Sequence, residues 1–569
     1  MKLTKYFFSA GIVAAALSMG SCTGDLDLTP TSPNDITQGT FPSNPSLYME
    51  KVMADIYLQT STYGYGTNDD GSNILTSMDG GMSTFQRSIF NLQEIPSDEA
   101  NWQPSADAID PNFQYGIIPS TNQVIMGAYS RMMVIVTLCN QFMQTDFGIK
   151  TDDEAKLFEE FSRQARIMRG AMYYYLIDAF GNVPWADESV MTGQIAPQLS
   201  TDFAEGRRMV FDAVTADLED IVKWYKENDP NNNPPYGYVG LDVAESLLVK
   251  FYLNAGVYTG NPRWQDCFTH AESIIGRRAK GGFVASGGTA TGLAKGYHQN
   301  FSYNNKDCSE IIWRIVQESA TLNDGNGLKS YANGGFMCNG WIGDSGEKDE
   351  FQCKITDYNS ANGWKCMSAR RQFVEVFNWN SDFTASPDIR TKFWKTAKDG
   401  FSIDNEPFVQ ANWGKNGFLP VKYTNWYIND QNEIVQGMSP TPVDPLGIDY
   451  GMIRLAEIYL SAAEAALQGG GSPEKAVTYA SYVRERAGLM PYTTASLTLD
   501  ELRNERCREL YTECTRRTDL IRYGKWISGY TWNWKYGVKE GTDFPSYFNV
   551  YAIPNTVVER NGYKQNPGY

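Results

Sequence analysis

Two histidines, His270 and His298, are the entire imidazole supply of the 569-residue chain. A zinc site draws on several nitrogen or sulfur ligands, and a Ser-His-Asp triad needs an imidazole beside its nucleophile. Both chemistries therefore start with little material. Carboxylates are more plentiful. Glu505, Glu509 and Glu513 stand four apart with Arg506, Arg516 and Arg517 nearby. Paired carboxylates are glycosidase equipment, but a helix also uses this spacing for a ladder of ion pairs, and the structural reading is preferred. The remaining conspicuous supply is aromatic: 34 Tyr, 28 Phe and 14 Trp.

Charge and composition narrow the field. Lys plus Arg is 49 and Asp plus Glu is 66, a formal charge of −17. Nucleic-acid binding requires cations that displace phosphate counterions, so this balance argues against it. A hydrophobic content of 42% is enough for a large core and excludes global disorder.

The first residues read as an export signal. Lys2 and Lys5 precede a short apolar run, Phe7 to Leu17, and then Met19-Gly20-Ser21-Cys22. Small residues directly before Cys22 point to lipoprotein processing; ordinary signal cleavage is the alternative. Residues 1–21 are then the signal and 22–45 a Pro-, Ser- and Thr-rich tether from an acylated Cys22. No other stretch is long and apolar enough to span a bilayer, which predicts a soluble body tethered outside the cytoplasm. The other eight cysteines form no CxxC pair and are expected to be mostly buried free thiols, with Cys338, Cys353 and Cys366 the least determined.

Helical periodicity dominates residues 46–280, apart from a loop-rich stretch at about 60–117, and returns over 446–569. Thr151-x-x-Glu154 and Thr498-x-x-Glu501 are capping boxes, the first opening a helix to Phe180, the second a continuous C-terminal helix. Ala244-Glu245…Tyr252-Leu253-Asn254-Ala255…Pro262 is nearly repeated by Ala456-Glu457…Tyr459-Leu460-Ser461-Ala462…Pro473. That is the grammar of tetratricopeptide-type helix pairs, although any two antiparallel pairs share part of it. Between 281 and 445 Gly, Asn, Ser and aromatics replace helical periodicity, and long irregular segments of this kind are usually functional. The expected fold is mainly α: a tetratricopeptide-like helix-pair scaffold carrying a large irregular loop-rich region.

The C-terminal run Glu505-Arg506…Glu509-Leu510…Glu513…Arg516-Arg517…Asp519-Leu520…Arg522…Gly524 resembles the signature of the SusD/RagB family of outer-membrane lipoproteins. So do Asp449 to Leu460, Gln164 to Pro184 and the terminal Gln565-Asn566-Pro567-Gly568-Tyr569. Leu253 to Gly260 and Phe85 to Glu99 are similar to starch-binding members in particular. The resemblance implies a non-enzymatic protein at the cell surface that captures starch or a related α-glucan. It also implies delivery to a SusC-like TonB-dependent transporter, and makes the irregular region the glycan-binding face.

The resemblance further implies a site made of an aromatic arc with an arginine. It falls here on Arg87, Trp102, Tyr331, Phe336 and Trp364, with Asp107 near the position of an amide and Pro104 in place of a second Trp. Each aromatic has ordinary core packing as its rival role. The pattern suits a sugar, because rings cover the apolar C–H face of a pyranose while Arg and carboxylates bind its hydroxyls from the side. No cofactor is implied beyond a weak calcium candidate, for which only Asp449 matches and Gly447 stands where a partner would. Pro104 and Asp107 leave a different glycan open. A glycoside hydrolase and a purely protein-binding helical scaffold are the remaining alternatives.

Overall fold

The computed structural model describes residues 43–65, 81–102, 109–191, 193–317, 328–330, 337–343, 353–364, 366–404, 415–442 and 447–569. The signal 1–21, Cys22, most of the tether, and Asp107, Tyr331 and Phe336 lie outside them.

The fold is mainly α. The helices are α1 (Pro45–Ser61), α2 (Phe85–Gln93), α3 (Gln123–Gln144), α4 (Asp152–Phe180), α5 (Phe203–Asn228), α6 (Leu241–Leu253), α7 (Ala255–Thr259) and α8 (Trp264–Arg278). After the irregular region, which holds the short α9 (Arg371–Glu375), come α10 (Leu455–Ala465), α11 (Pro473–Arg486), α12 (Leu499–Leu510), α13 (Arg516–Arg522) and α14 (Asn555–Asn561).

Helix α4 shows how local sequence sets an element. Thr151 Oγ1 accepts the Glu154 N–H at 3.2 Å and the Glu154 carboxylate accepts the Thr151 N–H at 3.0 Å, the reciprocal cap the spacing predicts. Asp152, Asp153 and Glu154 also suit the positive end of the helix dipole. Every residue from Ile167 to Phe180 is buried, so this half is a central core rod, packed between α3 and α5. The helix ends at Gly181, whose φ of 66° is strained for residues with a Cβ.

The repeated helix pairs are adjacent. Helix α6 packs on α8, α8 on α10, and α10 on α11, so the two copies stack in series. The stack is tight: a Cβ at Gly470 would lie 2.3 Å from the Trp264 carbonyl oxygen.

The C-terminal helix is not continuous. It breaks between Leu510 and Arg516, with Thr512 and Cys514 in the left-handed region at φ 62° and 63°. Tertiary partners hold the break: the Thr512 N–H donates to Glu99 and the Thr515 N–H to Glu94. At the end of α12, Lys422 Nζ donates to the carbonyls of Glu509 and Tyr511, which a helix terminus otherwise leaves open. The glutamates of α12 and the break differ from the expected helix-surface ladder. Glu505, Glu509 and Glu513 are buried, and most of their partners come from elsewhere: Arg390, Arg454, Arg486 and Lys422.

Among the described residues there are also four two-stranded antiparallel pairs. The strands are β1 (Thr62–Tyr65), β2 (Ala100–Trp102), β3 (Val284–Ala285), β4 (Thr289–Ala290), β5 (Ile311–Ile315), β6 (Leu328–Ser330), β7 (Met367–Ala369) and β8 (Tyr450–Arg454). The pairs β1–β6, β2–β7 and β5–β8 tie the irregular region to the scaffold. All eight described cysteines are buried free thiols. Among the described residues, no helix is long and apolar enough to cross a membrane.

Candidate functional site

Strand β2 carries Trp102 and is fixed by a chain of buried ionic contacts. Asp98 is gripped by Arg516 through two bonds of 2.7 Å and by the Tyr530 hydroxyl. Burial works against the Asp98 charge, but Arg516 outweighs it and holds the carboxyl below its ordinary range. Burial pushes Glu94 well up and Glu99 up to about 7. Arg370 then clamps the strand, donating to the carbonyls of Ala100, Gln114 and Asn533. The Arg-rich C-terminal motif thus acts as an anchor for the segment from Phe85 to Trp102.

On the other side β2 pairs with β7, Trp102 opposite Met367. Trp364 lies three residues before that partner. Its N–H donates to the Asn339 carbonyl at 2.7 Å, and the Cys366 and Met367 N–H groups donate to Gly340. Gly363 makes this approach possible: a Cβ there would stand 1.6 Å from the Gly343 carbonyl oxygen. The Asn362-Gly363-Trp364 motif is therefore a close backbone crossing that sets Trp364 on a ledge, partly buried against the core.

Three predicted site residues thus lie on adjoining segments: Arg87, Trp102 and Trp364. Their exposures differ from the expected open arc. Trp102 is 1% exposed and Arg87 0%. The Arg87 guanidinium sits 4.7 Å from the centre of the Trp102 ring, so each covers the other. The physical reason is local: every residue of α2 is buried, and Arg87 goes inside with its helix. Neither side chain offers an open face here. Trp364 is partly exposed.

Sequence reasoning missed the amides around this pair. Asn91 Oδ1 accepts from Arg87 Nε at 2.8 Å, and Gln114 Oε1 accepts the Trp102 N–H at 3.0 Å. Their other ends, Asn91 Nδ2 and Gln114 Nε2, are buried without a partner among the described residues, as are both amide atoms of Gln86. A buried donor left in this state costs about 1–3 kcal/mol unless water or another oxygen meets it. Only their number within an otherwise apolar stretch was visible in the sequence.

Asp449 does not fit calcium. Its Oδ1 accepts the Gln317 N–H at 2.9 Å, and its Oδ2 accepts from Tyr236 and from Arg314. A carboxylate already neutralised by arginine is a poor cation ligand, and calcium wants six to eight oxygens. No group of three or more His, Cys, Asp or Glu suited to a metal exists among the described residues. His270 is absorbed by ion pairs with Glu219 and Glu245, and buried His298 packs on Phe393.

Comparison with known proteins agrees with this architecture. Residues 309–569 match the SusD family. The starch-binding protein SusD of Bacteroides thetaiotaomicron is 26% identical, over 100% of this chain and 99% of that protein. Surface glycan-binding protein A from Bacteroides fluxus superposes with a TM-score of 0.62 at 16% identity, covering 94% of this chain and 100% of that one. The protein of the same name from Bacteroides thetaiotaomicron, in complex with laminarihexaose, gives 0.60 at 16% identity, covering 91% and 99%. The C-terminal part of the chain thus matches the SusD family, and the chain as a whole is similar in sequence to a starch-binding SusD protein and in fold to surface glycan-binding proteins.

Proposed function

We propose that the protein binds glycan without cleaving it, and that its ligand is starch or a related α-glucan. The observation that carries this is the Trp364 ledge, a partly exposed ring held by backbone bonds in a chain similar to a starch-binding SusD protein. A ring fixed before the ligand arrives lowers the ordering cost of binding. Trp102 and Arg87 serve as its buried support. Tyr331, Phe336 and Asp107 belong to the proposed site on resemblance alone. The similarity of the chain to a starch-binding protein supports the choice of ligand.

The cellular part of the reading follows the N-terminal sequence. An acylated Cys22 anchors the protein in the outer membrane, facing outward, and the bound oligosaccharide passes to a SusC-like TonB-dependent transporter.

A different glucan is the second reading, favoured by Pro104 in place of a second Trp and by a fold neighbour that holds laminarihexaose. Native gels containing amylopectin, laminarin or dextran separate the two. Retardation by amylopectin is expected; retardation by laminarin alone selects the second reading, and retardation by none contradicts both. Maltoheptaose left intact after overnight incubation is the expected result for a binding protein, and its cleavage would restore the hydrolase alternative.

A further inference from the structure

A second opening lies in the irregular region and shares no lining residue with the Trp364 ledge. It is a cleft of about 550 Å³, bordered by Trp379, Thr384, Ser386, Lys395 and Lys398 among others. That volume is within the roughly 300–1,000 Å³ usual for small-molecule sites.

Its aromatic wall is fixed in advance. Trp379 Nε1 donates to the Val374 carbonyl at 2.8 Å, and its ring meets Trp394 at 5.8 Å and Phe418 at 5.7 Å. The indole is thereby held from behind while remaining half-exposed toward the cleft. Polar groups surround it. Lys395 Nζ and Asp357 form a 2.7 Å pair across the rim. Ser386 Oγ accepts the Asp388 N–H, and its own proton meets no acceptor among the described residues. The Lys398 ammonium likewise makes no ion pair among them.

Charge decides the ligand class. Lys392, Lys395 and Lys398 border the cleft together with Asp357 and Asp399, and Glu433 acts on Lys392 from outside. Three lining cations meet two lining carboxylates, and Glu433 offsets Lys392 from outside, so little net charge is left to select a phosphate or a uronate. A fixed aromatic face with balanced hydroxyl partners matches a neutral sugar ring, whose C–H face stacks and whose hydroxyls both donate and accept.

We infer that this cleft is a second carbohydrate-binding site, taking one or two residues of a neutral glucan independently of Trp364. The inference rests on the glycan-binding reading above. Two sites on one chain bind a long polymer with an avidity that neither reaches alone.

Calorimetric titration of the whole protein with maltoheptaose tests it. Ala385→Trp is the blocking variant, because Ala385 is exposed at the rim and a large ring there fills the cleft without disturbing Trp394 or Phe418. Trp379→Phe is the second variant and keeps the core contact. The wild type is expected to bind two ligands per chain and Ala385→Trp one, with Trp379→Phe weakening only the second event several-fold. A wild-type stoichiometry of one, or two retained in a folded Ala385→Trp, overturns the second site and leaves the Trp364 reading intact. No glucan binding by the wild type overturns both.

Discussion

Two buried polar regions, joined in space through Glu94 and Glu99, differ in how completely they are bonded. Around α12 every carboxylate oxygen of Glu310, Glu505, Glu509 and Glu513 has a donor, supplied by Arg390, Arg454, Arg486, Arg508, Lys422 and their neighbours. Around Trp102 the amides of Gln86, Asn91 and Gln114 are left partly unmet. The first arrangement is what a structural network requires, since a buried charge without a partner is expensive. The second leaves polar atoms that an enclosed water would complete, because Gln86, Asn91 and Gln114 are at most 1% exposed. The network thus completes its carboxylate oxygens first, leaving only donors such as Arg486 Nε and Arg516 Nη1 unmet among the described residues, whereas around Trp102 whole amide ends are unmet.

The sharpest way to break this contrast is at Arg454. Its guanidinium joins Glu310, Glu509 and Glu513, and Arg454→Met would take one cationic partner from each of the three. A loss of about 3–5 kcal/mol is expected by urea denaturation, as for other buried ion pairs stripped of one partner. A variant as stable as the wild type would mean the network is not structural.

A smaller effect is expected at His270 on the scaffold. Burial alone would lower its pKa, but Glu219 and Glu245 outweigh burial and raise it to about 9. Because the folded value lies above the unfolded value of about 6.5, the contribution is full below pH 6.5 and is lost as pH rises through 9. His270→Gln should flatten that part of the stability–pH curve by about 1–3 kcal/mol. An unchanged alkaline slope would remove the claim.

The smallest change has the opposite sign. Gln86 is 0% exposed and neither amide atom is bonded among the described residues. Gln86→Met should be neutral or stabilising by about 1 kcal/mol, because it removes a buried polar group that nothing satisfies. A clear destabilisation in thermal unfolding would show that the amide is met after all.

What the sequence made legible follows from range. The cap at Thr151 and Glu154, the end of α4 at Gly181 and the repeated helix pairs all depend on neighbours within a turn or two, and they stand where the pattern put them. The break in the C-terminal helix was not legible, because the carboxylates that hold Thr512 and Thr515 come from Glu99 and Glu94, some four hundred residues earlier. The burial of Glu505, Glu509 and Glu513 was hidden for the same reason. At the site, Gly363 was readable as part of a motif, but its role in a backbone crossing appears only with Gly343 in place. Arg87 and Trp102 were recognisable as neighbours of a site and not as a pair that covers itself.

Titration of maltoheptaose into the wild type and Trp364→Ala, with thermal unfolding as a control for folding, tests the central claim most directly. The account predicts that the tighter binding event weakens at least about tenfold, roughly 1.4 kcal/mol, while the unfolding midpoint barely moves. An isotherm identical to the wild type in a folded Trp364→Ala protein would contradict it.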